Sequence, residues 1–364
     1  MGTLYLILEN GMVFEGSGFG AENDVTGEIV FTTGMNGYLE TLTDLSYYGQ
    51  IVLQTFPLIG NYGIISEDFE SMSVGPLAYI VKTPCQAPSN FRSEGKLDTF
   101  LKERNITGLY GIDTRALTKI IRQQGVMNGR ITKTSPDRVS LDDICSYKIR
   151  NAVRAVSCTE RKFFKSGGGR CTVALLDFGM KENIKRELLK RGCDVWVLPW
   201  NTPYEDITLL APDGIVLSNG PGDPAENTEI IQNLKHLLKS GIPIFGICLG
   251  HQLLALAHGF ETYKLRYGHR GANQPVKDMN TGRVYITSQN HGYAVKSESI
   301  DEDVAEEWFV NVNDGTCEGI WYKKAPAFSV QFHPEACHGP HDTMYLFDLF
   351  VDRMEGKACP VIQA

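Results

Sequence analysis

From position 171 onward the hydrophobic and polar residues fall into alternating blocks, with short apolar runs giving way to stretches of helical period. The runs at 171–176, 194–198, 214–218, 242–247 and 327–332 have the length and composition of strands. Between the first two, 181–191 places Ile184, Leu188 and Leu189 on one face of an amphipathic helix that Gly192 closes. Helices are also predicted from 225 to 239 and over the apolar stretch 253–258. Strands alternating with helices in this way imply an α/β fold, with a mostly parallel central sheet and helices on both faces. In such sheets, sites gather at the carboxyl ends of the strands.

Three of those strand ends carry candidate chemistry. Cys248 stands in Gly246-Ile247-Cys248-Leu249-Gly250-His251-Gln252, with glycine two residues before it and two after. Small flanking residues permit the sharp strand-to-helix turn of a nucleophile elbow, where the helix N-terminus favours a thiolate. Taken alone, Cys248 also reads as a buried core thiol. His333-Pro334-Glu335 follows the last predicted strand. Pro334 biases His333 toward extended backbone, and there residues two apart project to the same side. Glu335 can then orient the His333 imidazole, the base that a cysteine nucleophile needs. Alone the pair also reads as a solvated ion pair; beside the elbow it reads as part of a Cys/His/Glu triad. The third end is Asn219-Gly220-Pro221-Gly222-Asp223-Pro224. Gly220 can offer an N–H where Pro221 cannot, which suits an oxyanion donor, although such a cluster is also an ordinary turn before a helix. No Gly-Lys-Ser/Thr follows, so it is not a phosphate loop.

At 364 residues the chain exceeds one ordinary core, and two domains are expected. The glycine run Ser166-Gly167-Gly168-Gly169-Arg170 is expected to be a flexible connection. This gives domains at 1–150 and 171–358 with a linker over 151–170. A net charge of -8 argues against nucleic acid or an anionic membrane as a main partner. No apolar run reaches the ~18 residues of a membrane span, and Met1-Gly2-Thr3-Leu4 lacks the basic start of a signal peptide. The 9 cysteines show neither regular spacing nor a CxxC pair, which suits reduced thiols in a cytoplasmic protein.

Through Asn219-Gly220-Pro221-Gly222, the Gly246–Gln252 elbow and His333-Pro334-Glu335, the stretch 171–355 resembles the class I (triad) glutamine amidotransferases. Four motifs of the first half resemble the N-terminal domain of the small-chain family of carbamoyl-phosphate synthase. They are Gly34-Met35-Asn36-Gly37-Tyr38, Leu42-Thr43-Asp44-Leu45-Ser46-Tyr47, Gly60-Asn61-Tyr62-Gly63 and Gly111-Ile112-Asp113-Thr114-Arg115-Ala116-Leu117-Thr118. Asp177-Phe178-Gly179-Met180-Lys181 and Ser288-Gln289-Asn290-His291-Gly292-Tyr293 fit the same family. The resemblance implies an N-terminal mixed β/α domain ahead of the amidotransferase domain.

It also implies roles. Cys248 would attack the side-chain amide of L-glutamine and form a thioester, His333 would relay protons, and Glu335 would orient His333. The N–H groups of Leu249 and Gly220 would hold the oxyanion. Glutamine contacts fall on Ser46, Gly220, Gly222, Leu249, Gln252, Asn290, Gly292 and Tyr293, with Ser46 bringing the N-terminal domain to the site. Tyr293 also reads as a packing aromatic. Ammonia would pass to a separate large chain, which makes carbamoyl phosphate from bicarbonate and ATP for pyrimidine and arginine biosynthesis. Nothing in this sequence resembles an ATP-binding apparatus, so no cofactor is expected on this chain, and ATP and Mg are expected on the large partner. The alternatives are an amidotransferase serving another synthetase and a non-catalytic structural subunit.

The chain departs from the family pattern after Glu335, where Ala336-Cys337-His338-Gly339-Pro340-His341 replaces a small residue followed by proline. The donors His333, Cys337, His338 and His341 match no zinc spacing, so no metal is expected there; Cys337 is expected to be an oxidisable thiol instead. The basic run Lys264-Leu265-Arg266-Tyr267-Gly268-His269-Arg270 reads either as a solvated hairpin face or as a contact with the large chain.

Overall fold

Apolar residues at alternate positions let the strands of the first unit, Met1–Ala152, bury both faces. The structure, a computed structural model, describes residues 2–336 and 339–357. Its first unit runs through β1 (Thr3–Leu8), β2 (Val13–Gly20), β3 (Val25–Thr32), α1 (Tyr38–Thr43), β4 (Gln50–Gln54), β5 (Leu58–Ile59), β6 (Ala78–Val81) and β7 (Thr83–Pro84). It continues through α2 (Leu97–Glu103), β8 (Thr107–Tyr110), α3 (Thr114–Gln124), β9 (Met127–Thr132) and α4 (Leu141–Cys145). The strands close into a barrel in the order β1-β2-β8-β6-β4-β3-β9, and β9 pairs back to β1. Ile51, Leu53, Ala78 and Ile80 meet Leu4, Ile29, Leu109 and Ile131 from around the ring, whereas Val52, Tyr79 and Val81 pack under α1 and α2. The barrel is tight enough that a Cβ on Gly129 would stand 2.4 Å from the Ile29 side chain.

The second unit, Val153–Ala364, begins in α5 (Ala152–Val156) and β10 (Lys162–Phe164). Strands and helices then alternate as β11 (Cys171–Asp177), α6 (Glu182–Lys190), β12 (Cys193–Pro199), α7 (Tyr204–Leu209), β13 (Gly214–Leu217), α8 (Thr228–Leu237), β14 (Ile244–Ile247) and α9 (Leu249–Ala257). An antiparallel stretch follows, β15 (Thr262–Asp278), β16 (Val284–Val295), β17 (Ala305–Asn311) and β18 (Cys317–Tyr322), before β19 (Ala327–Val330) and α10 (Tyr345–Met354). All lie in one 10-stranded sheet of order β10-β12-β11-β13-β14-β19-β18-β17-β15-β16.

The parallel sheet expected from the sequence is its centre, β12-β11-β13-β14-β19. The flanks are antiparallel, because β15 to β18 have no crossover helix between them. At the β15–β16 turn the Asp278 carboxylate accepts the N–H groups of Asn280 and Thr281. Successive central-strand residues face opposite sides. Val173, Leu175, Val216, Phe245 and Phe328 pack with residues of α6 and α10, while Ala174, Leu176, Ile215, Leu217 and Ile244 pack with residues of α7, α8 and α9.

The segment 151–170 is not a free linker. It forms α5, then β10 as an edge strand paired antiparallel to β12, and its glycine run is tied down where Ser166 donates both its N–H and its hydroxyl to Asp194. Glycine content suggested slack, but Phe163 packed at a tilt against Trp196 anchors the edge. Among the described residues no helix is long and apolar enough to cross a membrane.

Candidate active site

Cys248 is the single residue between β14 and α9, and its backbone sits at φ 54, ψ -102. For a residue with a Cβ such a conformation costs roughly 1–3 kcal/mol and persists only where the surroundings enforce it. Here they do. The Cys248 N–H donates to Val330 O at 2.8 Å, and the Gly250 N–H donates to Ser218 O at 3.0 Å. The flanking glycines are required by contact: a Cβ on Gly246 would lie 2.9 Å from the Gly250 carbonyl group, and one on Gly250 would lie 2.3 Å from Leu217 O. The elbow is therefore a point where helix backbone touches sheet backbone.

His333 follows β19 and is fixed by donating its N–H to Ser288 O at 2.9 Å. Its Nδ1 meets Glu335 Oε1 at 2.7 Å, with both side chains fully enclosed. Asn183 of α6 holds the next turn by donating Nδ2 to Glu335 O at 3.0 Å. Burial and the nearby Lys181 ammonium pull the His333 pKa down, but the Glu335 carboxylate and the Cys248 sulfur outweigh them and raise it to about 9. Burial pushes Glu335 up, yet the His333 imidazolium, aided by Lys181, holds it below its ordinary value. The Cys248 side chain interacts with the imidazole, but His333 Nε2 makes no strict hydrogen bond, and Sγ donates to Asn290 O at 3.8 Å.

The Asn219 loop is stitched to the end of β11. Asn219 accepts the Lys181 N–H at 2.9 Å and donates to Gly179 O at 3.0 Å. Gly220 packs so closely that a Cβ there would be 2.3 Å from Phe178 O and 2.7 Å from Leu249 Cδ2, which puts it beside the elbow. Gly222 adopts φ 89, open to glycine. Leu249, as the first residue of α9, has an N–H without an intrahelical acceptor. Gln252 donates to Tyr293 O at 2.7 Å and to Gln331 Oε1 at 2.8 Å. Gly292 stands where a Cβ would be 3.3 Å from Arg270 Nη2. The Tyr293 ring is half-buried with Lys264 Nζ 5.9 Å from its centroid, so its packing role and its carbonyl are both in use.

Ser46 belongs to the first unit, in the 3-10 turn Leu45–Tyr47, where its N–H donates to Asp44. The second unit thus brings together Cys248, His333, Glu335, Gly220, Leu249, Gln252, Asn290 and Tyr293. In the basic run, Lys264 and Arg266 are exposed, but His269 and Arg270 turn inward across a register shift of β15 against β16. Cys337 and His338 lie outside the described residues. Sequence reasoning gave no role to Asn183, to the Lys181 charge or to the Asn290 carbonyl. Lys181 and Asn290 carried a signal as members of family motifs, Asn290 also as an expected glutamine contact; Asn183 carried none.

With that geometry in place, residues 174–353 match the family model for glutamine amidotransferase class-I, so the second unit is a domain of that class. Residues 6–131 match the model for the carbamoyl-phosphate synthase small chain, CPSase domain. Three relatives bear the name carbamoyl phosphate synthase small chain. That of Bacillus cereus (strain ATCC 10987 / NRS 248) is 53% identical over 351 residues, covering 96% of this chain and 95% of its own. That of Fusobacterium nucleatum is 51% identical, covering 97% of this chain and 98% of its own. That of Clostridium perfringens is also 51% identical, covering 95% and 98%. The chain belongs to the carbamoyl phosphate synthase small chain family.

Proposed function

We propose that this chain is the glutamine-hydrolysing subunit of a carbamoyl phosphate synthase. The observation that carries the reading is the Cys248 elbow beside the enclosed His333–Glu335 pair, in a chain whose two halves both match this family. The Cys248 thiolate adds to the side-chain carbonyl carbon of L-glutamine, while the N–H groups of Leu249 and Gly220 receive the developing oxyanion. His333 gives a proton to the departing nitrogen, the C–N bond breaks, and ammonia leaves a thioester. Water, deprotonated by His333, then cleaves the thioester to glutamate. Glu335 holds the imidazole in the tautomer this relay needs.

Within the second unit, the Gln252 side chain and the Gly222, Asn290, Gly292 and Tyr293 backbone supply polar partners for the amino-acid end of the substrate. Ammonia passes to a large partner chain, which holds ATP and Mg and converts bicarbonate to carbamoyl phosphate in the cytoplasm for pyrimidine or arginine synthesis. In the reconstituted complex, Cys248→Ala is expected to abolish glutamine-dependent synthesis and to leave ammonia-dependent synthesis intact. Persistent glutamine use, or loss of both activities, would overturn the reading.

A further inference from the structure

One residue beyond Asn290, the inward side of the antiparallel arm gathers a second set of titratable groups. His269 on β15, His291 on β16 and Glu318 on β18 are all buried, and their donor atoms lie within 4.8 Å of one another. His269 Nδ1 is 3.3 Å from Glu318 Oε1 without hydrogen-bond geometry, and Glu318 Oε2 also has no hydrogen-bond partner. We propose that His269, His291 and Glu318, with the Gln289 amide oxygen as a fourth donor, form a binding site for a divalent transition-metal ion of the zinc type.

Proton accounting supports the assignment. His269 Nε2 lies 2.8 Å from the Asp314 carboxylate, and His291 Nδ1 lies 2.8 Å from Tyr293 O. Both are acceptors, so each ring donates outward; a bound metal would displace the second proton that Asp314 and Glu318 hold on His269, whose pKa they raise to about 9, and both rings would then turn a lone pair inward. This is the arrangement in which a carboxylate or a backbone carbonyl orients a metal-ligating histidine. His291 Nε2 then meets Gln289 Oε1 at 3.0 Å, two acceptors face to face. Flipping the amide does not relieve this. The Thr287 hydroxyl donates to Gln274 O at 2.9 Å, so its oxygen is left to accept the Gln289 Nε2 group at 3.1 Å, which fixes the amide as it stands. A cation among His269, His291 and Glu318 would be ligated by all three, and Gln289 Oε1, 3.0 Å from His291 Nε2, is within reach as a fourth donor. Two histidines and a carboxylate suit zinc, whose donors in a tetrahedral site sit roughly 3.4 Å apart, so a modest inward closure completes the shell. Glu318 and Asp314 together balance the charge of a divalent ion. The Asn311 amide steadies Glu318 by donating to Oε1 at 2.9 Å. The ion would clamp β15, β16 and β18 next to the Asn290 carbonyl that receives the Cys248 thiol.

The test is calorimetric titration of the chelator-treated full chain with zinc chloride, in wild type and in Cys248→Ser. One zinc per chain in both, with a raised Tm, is the expected result. Glu318→Gln should abolish binding. Asp314→Asn, which removes the carboxylate that orients His269, should raise the zinc Kd by about 10–100-fold. If Glu318→Gln fails to fold, the Asp314→Asn titration decides alone. Absence of saturable binding would overturn the site and leave a proton on His269 as the cluster's counter-charge. Loss of binding in Cys248→Ser, or an unchanged Kd in Asp314→Asn, would place the zinc elsewhere and also overturn it.

Discussion

At the scale of single residues, the active site is a competition between burial and charge. Full enclosure opposes ionisation of both His333 and Glu335, yet each carries its charge because the other is 2.7 Å away. The folded pKa of His333, about 9, stands above its ordinary 6.5. Its contribution to stability is therefore complete below about 6.5 and is lost as pH rises through about 9. Glu335, held below its ordinary value, contributes above the carboxylate range, and that contribution is lost as pH falls. The same proton on His333 must reach the departing ammonia, so kcat should fall on the alkaline side near pH 9. In Glu335→Gln, burial and the Lys181 charge still oppose protonation of His333 while the favourable carboxylate is gone, and the amide can present an N–H to Nδ1. That alkaline limb should move down by about 1–3 pH units, with kcat near neutrality lowered by about 10²-fold. A pH–rate series on glutamate release checks this, and an unmoved limb would remove Glu335 from the control of His333.

At the scale of elements, the reactive cysteine depends on contact between α9 and the sheet. A Cβ at position 250 would stand 2.3 Å from Leu217 O, which is backbone and cannot swing aside. Gly250→Ala should therefore lift the start of α9 from β13, costing about 1–3 kcal/mol of stability. It should depress kcat by about 10²-fold through misplacement of Cys248, which thermal unfolding and glutaminase assays on one preparation would measure together. Both glycines were visible in the sequence, but only the register of β13 and β14 reveals which backbone each one touches.

Periodicity located the five central strands and the helices α6, α8 and α9 of the second unit but not α7 or α10, and errors also arose where a local group intervened. Asp223 caps Ala225 and Asn227 bonds back to Asp223 O, so the helix expected from 225 to 239 breaks into a 3-10 turn and α8. The barrel had no comparable signature, since its order joins strands as remote as β1 and β9 and local pattern carries no information on such pairing. The arm was hidden for a related reason: the β15–β16 register shifts twice, so the inward face of His269 and Arg270 follows no simple alternation.

For the whole molecule, the question is how an amidase avoids destroying glutamine when no acceptor is ready. The triad is assembled from remote pieces, a turn at Cys248 held by β13 and β19 and a loop at His333 held by β16 and α6. In this state the Cys248 thiol donates to Asn290 O at 3.8 Å, and His333 Nε2 makes no strict hydrogen bond. Charge on the pair is in place, and the thiol interacts with the imidazole without a strict hydrogen bond to carry the proton. Reaction rates fall steeply with misalignment of this kind, so the isolated chain should be a slow glutaminase whose binding groups are largely formed. A partner that shifts β16 or the His333 loop by a fraction of an ångström would release the thiol from Asn290 and close the bond to Nε2. Adding the large chain with ATP and bicarbonate should then raise glutamate release at least several-fold. The change should fall chiefly in kcat, because what changes is the alignment of reacting groups rather than the contacts to the amino-acid end of the substrate. Initial rates over a range of glutamine concentrations, with and without the partner, separate the two parameters. Equal kcat in both conditions would mean that the isolated chain already reaches its working geometry, and the idea of a partner-controlled elbow would fall.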